Sequence, residues 1–473
     1  MVLLPPGAAN LKTVPKRNLI WIVAIIAAAA VTALVTRTPP PIIHSNRAAP
    51  EPLEGVSRLI GENYVRPVDE RLLQRGAITG MVGSLDEFSS FIPPGKVSQF
   101  QRRLAGVETG LGLRVDMADG NAVVIGPLPG SPAFDARIYS DDRILAIDGL
   151  EVSGMTRGQI DRLLQGERDA PVKLTLLSVD GQRKTVTIRR QEYTLETVQG
   201  LCRDEEGNWI YLISPDDGAA YLRIKEFVSR TGRQLQGAMR SASALRGLIL
   251  DLRGNPGGFR DAALEVADMF LKQGSIVTIV SRSGAETPLA HAEGTYPDLP
   301  MVVLIDGGTA SAAEIVAGAL NYNGRAVLLG TPSRGKRCIQ SMIPLDNGLG
   351  QINLTTAEFY FGPARPAEGR AWRLQPDELC TMPEASQEKL NRLRNRAEVL
   401  LRPHPATRAA THPATAPHRA SVEEILELDT QLARAIGLLK HPEAMQEMLK
   451  RAAATRAAEA SRPAATAPAH RAP

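Results

Sequence analysis

One serine in this chain has surroundings that suit a catalytic nucleophile. Ser311 follows the apolar strand pattern MVVLID (301–306) and a Gly-Gly turn, and it begins a helix pattern. The N–H groups of a first helical turn have no acceptor within the helix, and the helix dipole is positive there. The N–H of Ala312 would therefore face an oxyanion that develops beside Ser311. An ordinary N-cap serine gives the same pattern, so this stretch alone leaves both interpretations open.

A lysine 25 residues later is the candidate base for that serine. Lys336 lies in SRGKRCIQ (333–340), between Arg334 and Arg337. A free lysine is a poor base because its pKa is about 10.4. Burial and neighbouring cations both favour the neutral amine, and the two arginines are such cations. If they point to solvent, however, the stretch is only a solvated basic turn, and this alternative stays open on the stretch alone.

The residues after the lysine predict how its amine is held. RCIQSMIPL (337–345) has the pattern of a β-strand. Side chains alternate along a strand, so Lys336, Cys338 and Gln340 are expected on one face. Gln340 would then hold the amine in place.

Other catalytic groups are poorly represented. Of the seven histidines, only His291 falls in the central part of the chain. RGNPGG (253–258) superficially resembles the nucleophile loop of trypsin-like proteases, but Pro256 occupies the serine position. No His/Cys/Asp cluster has metal-ligand spacing, so neither a metal nor another cofactor is expected. The cysteines, far apart and odd in number, predict neither a disulfide framework nor a zinc site: Cys202, Cys338 and Cys380.

The charge distribution argues against a nucleic-acid partner. The net charge is +4, but residues 386–473 alone contain 14 Lys and Arg against 9 Asp and Glu. The rest of the chain is close to neutral and has no basic stripe with interleaved aromatic side chains. With 473 residues, 43% of them hydrophobic, the chain is expected to form two or three domains with mainly aliphatic cores.

The N-terminal region predicts a membrane anchor. Residues 18–35 (NLIWIVAIIAAAAVTALV) are nearly apolar and uncharged, and this length can span a bilayer. Lys12, Lys16 and Arg17 precede the segment, so the positive-inside rule predicts a cytoplasmic N-terminus and a single pass. The catalytic part is then expected outside the cytoplasm, on the periplasmic side. A cleaved signal peptide is the alternative, with Ala-Val-Thr-Ala at 30–33 as a weak cleavage site.

Changes of pattern divide the chain into segments. Short strands with tight turns and one helix predict a mostly β domain, and the apolar strands alternating with helices that follow predict a layered α/β domain. The predicted segments are a cytoplasmic stub with the anchor (1–36), a Pro-rich linker (37–52), a helical part (53–100), the β domain (101–191), the α/β core (192–385), a helix with a low-complexity insertion (386–420), a C-terminal helix (421–452) and a disordered tail (453–473).

Three local patterns give specific predictions. VKLTLLSVDGQRKTVTIRR (172–190) predicts a hairpin closed by a type I′ turn at Asp180 and Gly181. TRGQIDRLLQG predicts a helix with Thr156 as its N-cap. VEEILELDTQLARAIGLLK (422–440) predicts a single amphipathic helix.

Several segments in order resemble the carboxy-terminal processing peptidases, also called tail-specific proteases. The resemblance runs from about Leu53 to Lys440. The matching segments are GAITGMVGSLDEFSSFI (76–92) for the family's N-terminal helix and loop, GLGL (110–113) for its PDZ domain, DLRGNPGG (251–258) for its oxyanion loop, GTASAAEIVAGAL for its nucleophile segment, and Gly335-Lys336 with Gln340 for its base segment.

The resemblance implies a fold class and a catalytic site. The fold would be α/β, a peptidase domain with a crotonase/Clp-like layered ββα core and an inserted, mostly β PDZ domain. Ser311 would be the nucleophile and Lys336 the general base, with Gln340 orienting the amine. The N–H groups of Ala312 and Gly257 would form the oxyanion hole. The protein would be a membrane-anchored serine endopeptidase that cleaves proteins at or near their C-termini.

The resemblance also implies how substrates are recognised. Proteins or peptides with exposed C-termini would bind the PDZ domain, and the strand 113–115 would pair with the substrate chain. The residues implied to bind the C-terminal carboxylate are Gly110, Leu111, Gly112 and Leu113.

Two other functions stay open from the sequence. One is a membrane-tethered PDZ binding protein with an inactive protease domain, and joint retention of Ser311, Lys336 and Gln340 argues against it. The other is a trypsin-like PDZ protease, which the scarcity of histidines disfavours. The helices expected within 56–85 and 422–440 are candidate contacts for a homo-oligomer.

Overall fold

The structure is a computed structural model. It describes residues 51–400 and 421–460, except 119, 205, 215–217, 243–244, 294–295, 297–298 and 363–371. The predicted membrane segment 18–35 and the low-complexity stretch 403–420 lie outside the described residues. Within the described ranges, no helix is both long enough and apolar enough to cross a membrane.

The chain divides into two units, 1–78 and 79–473. The described part of the first unit contains helix α1 (Glu51–Asn63) and most of helix α2 (Glu70–Gly83). Helix α1 begins at Glu51, so it includes the last two residues of the predicted linker. Its apolar side chains Leu53, Val56 and Leu59 are each more than half exposed.

The β domain is a six-stranded antiparallel sheet with its own core. Strands run in the order β3-β4-β5-β7-β8, with β6 paired to β5, and β2 and β9 form a separate two-stranded ribbon. Since β3 is an edge strand, one side of it is open to pairing. The elements are β1 (Ser90–Ile92), α3 (Pro94–Leu104), β2 (Val107–Gly110), β3 (Leu113–Ala118), β4 (Asn121–Pro127), α4 (Pro132–Asp135), β5 (Arg143–Ile147), β6 (Leu150–Glu151), α5 (Arg157–Leu164), β7 (Pro171–Leu177), β8 (Arg183–Arg189) and β9 (Gln191–Thr194).

The predicted hairpin is confirmed as β7–β8, but its turn is not type I′. A type I′ turn needs positive φ at both central residues, and only Gly181 has it, at 79°. The turn between β5 and β6 does have positive φ at both central residues, 50° at Asp148 and 84° at Gly149. Thr156 is the N-cap of α5, as predicted.

The α/β core contains a seven-stranded sheet covered on both faces. Its strands run in the order β10-β14-β15-β18-β19-β22, with β13 also paired to β14, and β14, β15, β18, β19 and β22 are parallel. Helices α6, α7 and α8 pack on one face and α9 to α12 on the other. Burial on both faces accounts for the nearly continuous apolar strands.

A second, five-stranded antiparallel sheet joins β1, β21, β16 and β17, with β20 paired to β21. The elements of the core are β10 (Val198–Gln199), β11 (Cys202–Arg203), β12 (Trp209–Ile210), β13 (Leu212–Ser214), β14 (Ala219–Ile224), α6 (Thr231–Ser241), β15 (Gly247–Asp251), α7 (Arg260–Asp268), β16 (Thr278–Ser281), β17 (Gly284–Glu286), β18 (Met301–Ile305), α8 (Ala312–Tyr322), β19 (Val327–Gly330), β20 (Cys338–Leu345), a 3₁₀ turn (Asp346–Gly348), β21 (Gly350–Tyr360), β22 (Glu378–Leu379), α9 (Glu384–Ala397), α10 (Val422–Leu428), α11 (Thr430–Leu439) and α12 (Pro442–Ala460).

The C-terminal region differs from the prediction in two ways. The single helix expected over 422–440 is broken at Asp429, which has non-helical φ and ψ of −91° and 82° and caps α11 by accepting a hydrogen bond from the N–H of Leu432. In addition, α12 continues to Ala460, so residues 453–460 of the predicted disordered tail are helical.

Candidate functional site

Ser311 lies on a sharp turn between the buried strand β18 and helix α8. Its backbone has φ 53° and ψ −117°, which is uncommon for a residue with a side chain and marks strain. Thr309 fixes the turn, because its hydroxyl donates to the carbonyl of Leu252 at 2.9 Å. A strained strand-to-helix turn presents a serine hydroxyl outward in the nucleophile turns of α/β-hydrolases.

A buried carboxylate joins this turn to the lysine loop. Glu314 is fully buried and accepts hydrogen bonds from the N–H of Ser311 (2.8 Å), the hydroxyl of Ser333 (2.5 Å), and the N–H groups of Gly335 (2.7 Å) and Lys336 (2.9 Å). Burial raises the pKa of Glu314, and the four donors offset part of that rise. Sequence reasoning missed this residue, although the S-x-x-E spacing of a capping box marks it.

Lys336 lies in a loop rather than at the start of a strand. Strand β20 begins only at Cys338, so the prediction that one strand aligns Lys336 with the residues after it is wrong. The lysine is half-buried and Arg334 is exposed. The Nζ of Lys336 lies 4.7 Å from the ring centroid of Phe88. The loop therefore brings the lysine backbone to Glu314 and its amine to an aromatic face.

Gln340 lies on β20 just after a bulge between Ile339 and Gln340. Its Nε2 donates to Thr355 Oγ1 at 3.1 Å. In the part of the chain that the structure describes, no hydrogen bond joins the Lys336 amine to Gln340 or to Ser311 Oγ. The three predicted catalytic residues share one region, but their side chains are not hydrogen-bonded to one another.

The two predicted oxyanion donors lie beside the serine. Gly257 has φ 100°, and a Cβ placed on it would lie 2.8 Å from Ser311 Cβ and 3.0 Å from the nitrogen of Ala312. Only a glycine permits this approach. The N–H of Gly257 donates to Asn255 Oδ1 at 2.8 Å.

A buried ionic network supports the start of the oxyanion loop. Arg253 contacts Asp251 and Asp429 through Nη2, at 2.6 and 2.7 Å, and Arg394 contacts the same two carboxylates at 2.9 and 3.2 Å. Burial alone would raise the pKa of Asp251, but the charges of Arg253 and Arg394 lower it well below its usual range. The C-terminal helices thus supply a counter-charge, Asp429, directly beneath the loop.

The loop predicted to bind a C-terminal carboxylate follows strand β2 and leads into edge strand β3. Its predicted residues lie in sequence along this connection: Gly110 ends β2, Leu111 and Gly112 form the turn, and Leu113 begins β3. Gly112 has φ 65°, and a Cβ placed there would lie 2.1 Å from Ser131 Cβ. The turn is therefore packed tightly against the N-terminus of α4.

The other titratable candidates lie away from this site. His291 is 77% exposed, and its Nδ1 lies 3.4 Å from Asp268. Burial raises the pKa of the Cys202 thiol to about 11. Among the described residues, no group of three His, Cys, Asp or Glu side chains is arranged to hold a metal ion.

Comparisons with known proteins match both parts of the chain. The family model described as "Peptidase family S41" matches residues 218–379, and the family model described as "PDZ domain" matches residues 101–177. The chain is 34% identical over 332 residues to a carboxy-terminal-processing protease of Bartonella bacilliformis, covering 68% of this chain and 72% of that protein. It is 32% identical to a carboxyl-terminal-processing protease of Synechocystis sp., covering 64% of this chain and 70% of that one. A solved structure titled photosystem II D1 C-terminal processing protease is 27% identical, with a TM-score of 0.41, and the match covers 72% of this chain and 96% of that chain.

Proposed function

Because this chain belongs to the carboxy-terminal processing proteases of peptidase family S41, which are serine peptidases, we propose that Ser311 is its nucleophile and Lys336 its general base. One observation carries this proposal: Glu314 binds the backbones of Ser311 and Lys336 at once. The strained serine and the lysine loop are therefore hydrogen-bonded to the same buried carboxylate. The substrate would be a protein cleaved at or near its C-terminus.

The lysine, with its amine in the neutral form, takes the proton of the serine hydroxyl as that hydroxyl attacks a peptide carbonyl. To do so, the amine of Lys336 leaves the ring of Phe88 and turns toward Ser311, a movement that the flexible lysine side chain permits. The Oε1 of Gln340 accepts a hydrogen bond from the amine and orients it, while Nε2 keeps its bond to Thr355. Lys336 then returns the proton to the leaving amine, and water hydrolyses the acyl-enzyme.

The oxyanion would be bound by the N–H groups of Ala312 and Gly257. The first belongs to the N-terminal turn of α8, where N–H groups lack acceptors within the helix. The N–H of Gly257 must give up its hydrogen bond to Asn255 Oδ1 in order to bind the oxyanion. Each such donor lowers the barrier by about 3 kcal/mol.

The PDZ domain would receive the substrate's C-terminus. The open side of β3 can add one more strand, and main-chain hydrogen bonds of this kind are a common mode of peptide recognition. The turn at Leu111 and Gly112 would bind the terminal carboxylate through backbone N–H groups. Gly110 and Leu113 frame this turn.

We further propose that residues 18–35 anchor the protein in a membrane, with the N-terminus in the cytoplasm and the peptidase on the periplasmic side. The support is the uncharged apolar run and the cations before it. Fractionation of the full-length chain tests the anchor, since carbonate extraction should leave it in the membrane pellet.

We also propose that the protein forms a homo-oligomer. The support is the row of apolar side chains on α1, Leu53, Val56 and Leu59, which are more than half exposed. Sedimentation should show a larger species for wild type than for Leu59→Glu.

The central test measures cleavage of an unfolded reporter protein with an apolar C-terminal tail. Wild type is expected to cut it, whereas Ser311→Ala and Lys336→Ala are expected to be inactive but folded. The matched controls are Ser341→Ala and Lys389→Ala, which alter exposed residues of the same types. If the two site variants cut as fast as wild type, the assigned site is wrong. If wild type binds the tail without cutting, a binding protein replaces the peptidase.

A further inference from the structure

Arg223 is a cation at the carboxyl end of the parallel sheet. It lies on β14, its Nε is buried, and that atom has no hydrogen-bond partner among the residues that the structure describes. Its guanidinium forms no hydrogen bond or ion pair with any residue in the described ranges. Its Nη2 lies 3.9 Å from the position of a Cβ on Gly254, a residue of the oxyanion loop. Ligand sites of open α/β sheets occur at this end of the strands.

The carboxylates close to Arg223 are already occupied. Asp251 accepts hydrogen bonds from Arg253 with both oxygens, and its Oδ2 also accepts from Arg394. Asp429 accepts from Arg253 with both oxygens as well, and from Arg394 with Oδ2. Arg223 therefore contributes a positive charge that these two acids do not bind.

Other charges beside Arg223 increase this excess. Lys225, two residues along the chain, contacts Glu398 at 2.5 Å, and Arg114 of the β domain contacts the same carboxylate at 3.5 Å. Burial lowers the pKa of Lys225, and the charges of Arg114 and Arg223 lower it further against the opposing effect of Glu398. The arginine cluster thus has five cations and three anions: Arg114, Arg223, Lys225, Arg253 and Arg394 against Asp251, Glu398 and Asp429.

Residues of the arginine cluster belong to, or adjoin, both elements that a substrate must reach. Arg114 belongs to edge strand β3, where the substrate tail would pair, and its side chain is 46% exposed. Arg223 is only partly buried and adjoins Gly254, three residues before Gly257 beside the nucleophile. A substrate chain that extends from β3 to Ser311 would pass this cluster.

We propose that Arg223 binds a carboxylate side chain of the protein substrate, upstream of the tail held by the PDZ domain. This inference rests on the proposed function and adds an acidic residue to its substrate class. A planar guanidinium suits a carboxylate because two of its N–H groups can form parallel hydrogen bonds to the two carboxylate oxygens. The substrate's acid would supply the counter-charge that Asp251 and Asp429 do not provide.

The test uses reporter proteins that carry one Glu, at successive positions, in an otherwise uncharged segment before the apolar tail. Each has a partner with Gln at the same position. With the full-length chain, kcat/KM is expected to be about tenfold higher for Glu than for Gln at one position, as a charged hydrogen bond allows. Arg223→Gln should remove that preference while still cutting the Gln reporters. Arg223→Lys should keep part of it, and Arg240→Gln, on an exposed position of α6, should keep all of it.

Binding separates this inference from the proposed function. The Kd values of fluorescein-labelled Glu and Gln reporters are measured with the Ser311→Ala chain, alone and combined with Arg223→Gln. A tenfold difference in Kd that depends on Arg223 supports the carboxylate site. If wild type shows this difference but cleaves none of the reporters, the carboxylate site stands and the peptidase mechanism is wrong. Equal Kd and equal kcat/KM for Glu and Gln at every position overturn the carboxylate site while leaving the peptidase in place. A Glu preference that survives in Arg223→Gln overturns it too.

Discussion

Replacing Glu314 by glutamine is expected to reduce turnover far more than stability. In the native protein Oε2 accepts from Ser311 and Lys336, and Oε1 accepts from Ser333 and Gly335. A glutamine turns one of these oxygens into an NH₂ group. The less costly orientation points that group at Ser333, whose hydroxyl can accept a hydrogen bond. The bond from the N–H of Gly335 is then lost, and the hydroxyl hydrogen of Ser333 loses its acceptor.

The magnitudes follow from this count of donors. Each buried donor without a partner costs about 1–3 kcal/mol, so the two lost acceptors should lower the free energy of unfolding by roughly 2 kcal/mol or more in Glu314→Gln. Glu314→Ala leaves four donors without an acceptor and should cost roughly 4 kcal/mol or more. Catalysis responds more steeply, because a shift of about 1 Å between reacting groups can reduce the rate about 100-fold.

Two measurements are made on each variant: the free energy of unfolding in urea, and kcat and KM for cleavage of the unfolded reporter. Asn321→Ala is the matched control, since Asn321 lies at the other end of α8 and donates to Asp377 at 2.6 Å. It should lose stability and keep kcat. Glu314→Gln should lose a similar stability and about 100-fold in kcat, with KM little changed. If Glu314→Gln keeps the kcat of the control, the carboxylate does not position the site.

Three further predictions follow. Gly257→Ala should reduce kcat about 100-fold or more without unfolding the protein, because its Cβ would meet Ser311 and the φ of 100° is strained for alanine; an active variant would remove this loop from the oxyanion hole. Gly112→Ala should raise the Kd of an apolar-tailed peptide, measured by fluorescence anisotropy, since its φ is 65° and its Cβ would clash; an unchanged Kd would move tail binding elsewhere. The pKa values of Asp251 and Asp429 are lowered in the folded protein, so their stabilising effect is complete above the usual value of 3.8 and is lost as the pH falls through the folded pKa. Asp429→Asn should be less stable than wild type at neutral pH, and urea unfolding should show that its free energy of unfolding falls less as the pH decreases. The same pH dependence in both proteins would contradict the ionic network.

The position of Ser311 could be predicted from the sequence because only local features decide it. An apolar run, two glycines and a helical pattern are enough to specify β18, the turn and α8. The start of β20 could not be predicted in the same way. Gly335 takes φ 88°, and Glu314 captures the N–H groups of Gly335 and Lys336, which a strand would have used. That acceptor lies 22 residues before the lysine, so no local pattern reveals it.

The break in the C-terminal helix has a similar cause. The apolar periodicity of 422–440 continues through Asp429 and therefore predicts a single helix. In the fold, Asp429 instead caps α11 and binds Arg253, which is 176 residues away in the sequence. A tertiary ion pair thus overrides a local helical pattern at a residue type that favours caps.

The same ion pair sets an order of events during synthesis. A ribosome makes the oxyanion loop early and Asp429 only 176 residues after Arg253. Until those last helices have emerged and packed, Arg253 and the loop after it lack half of their counter-charge. A chain truncated before Asp429 is therefore expected to hold this loop less firmly and to cut the unfolded reporter more slowly than the full-length chain.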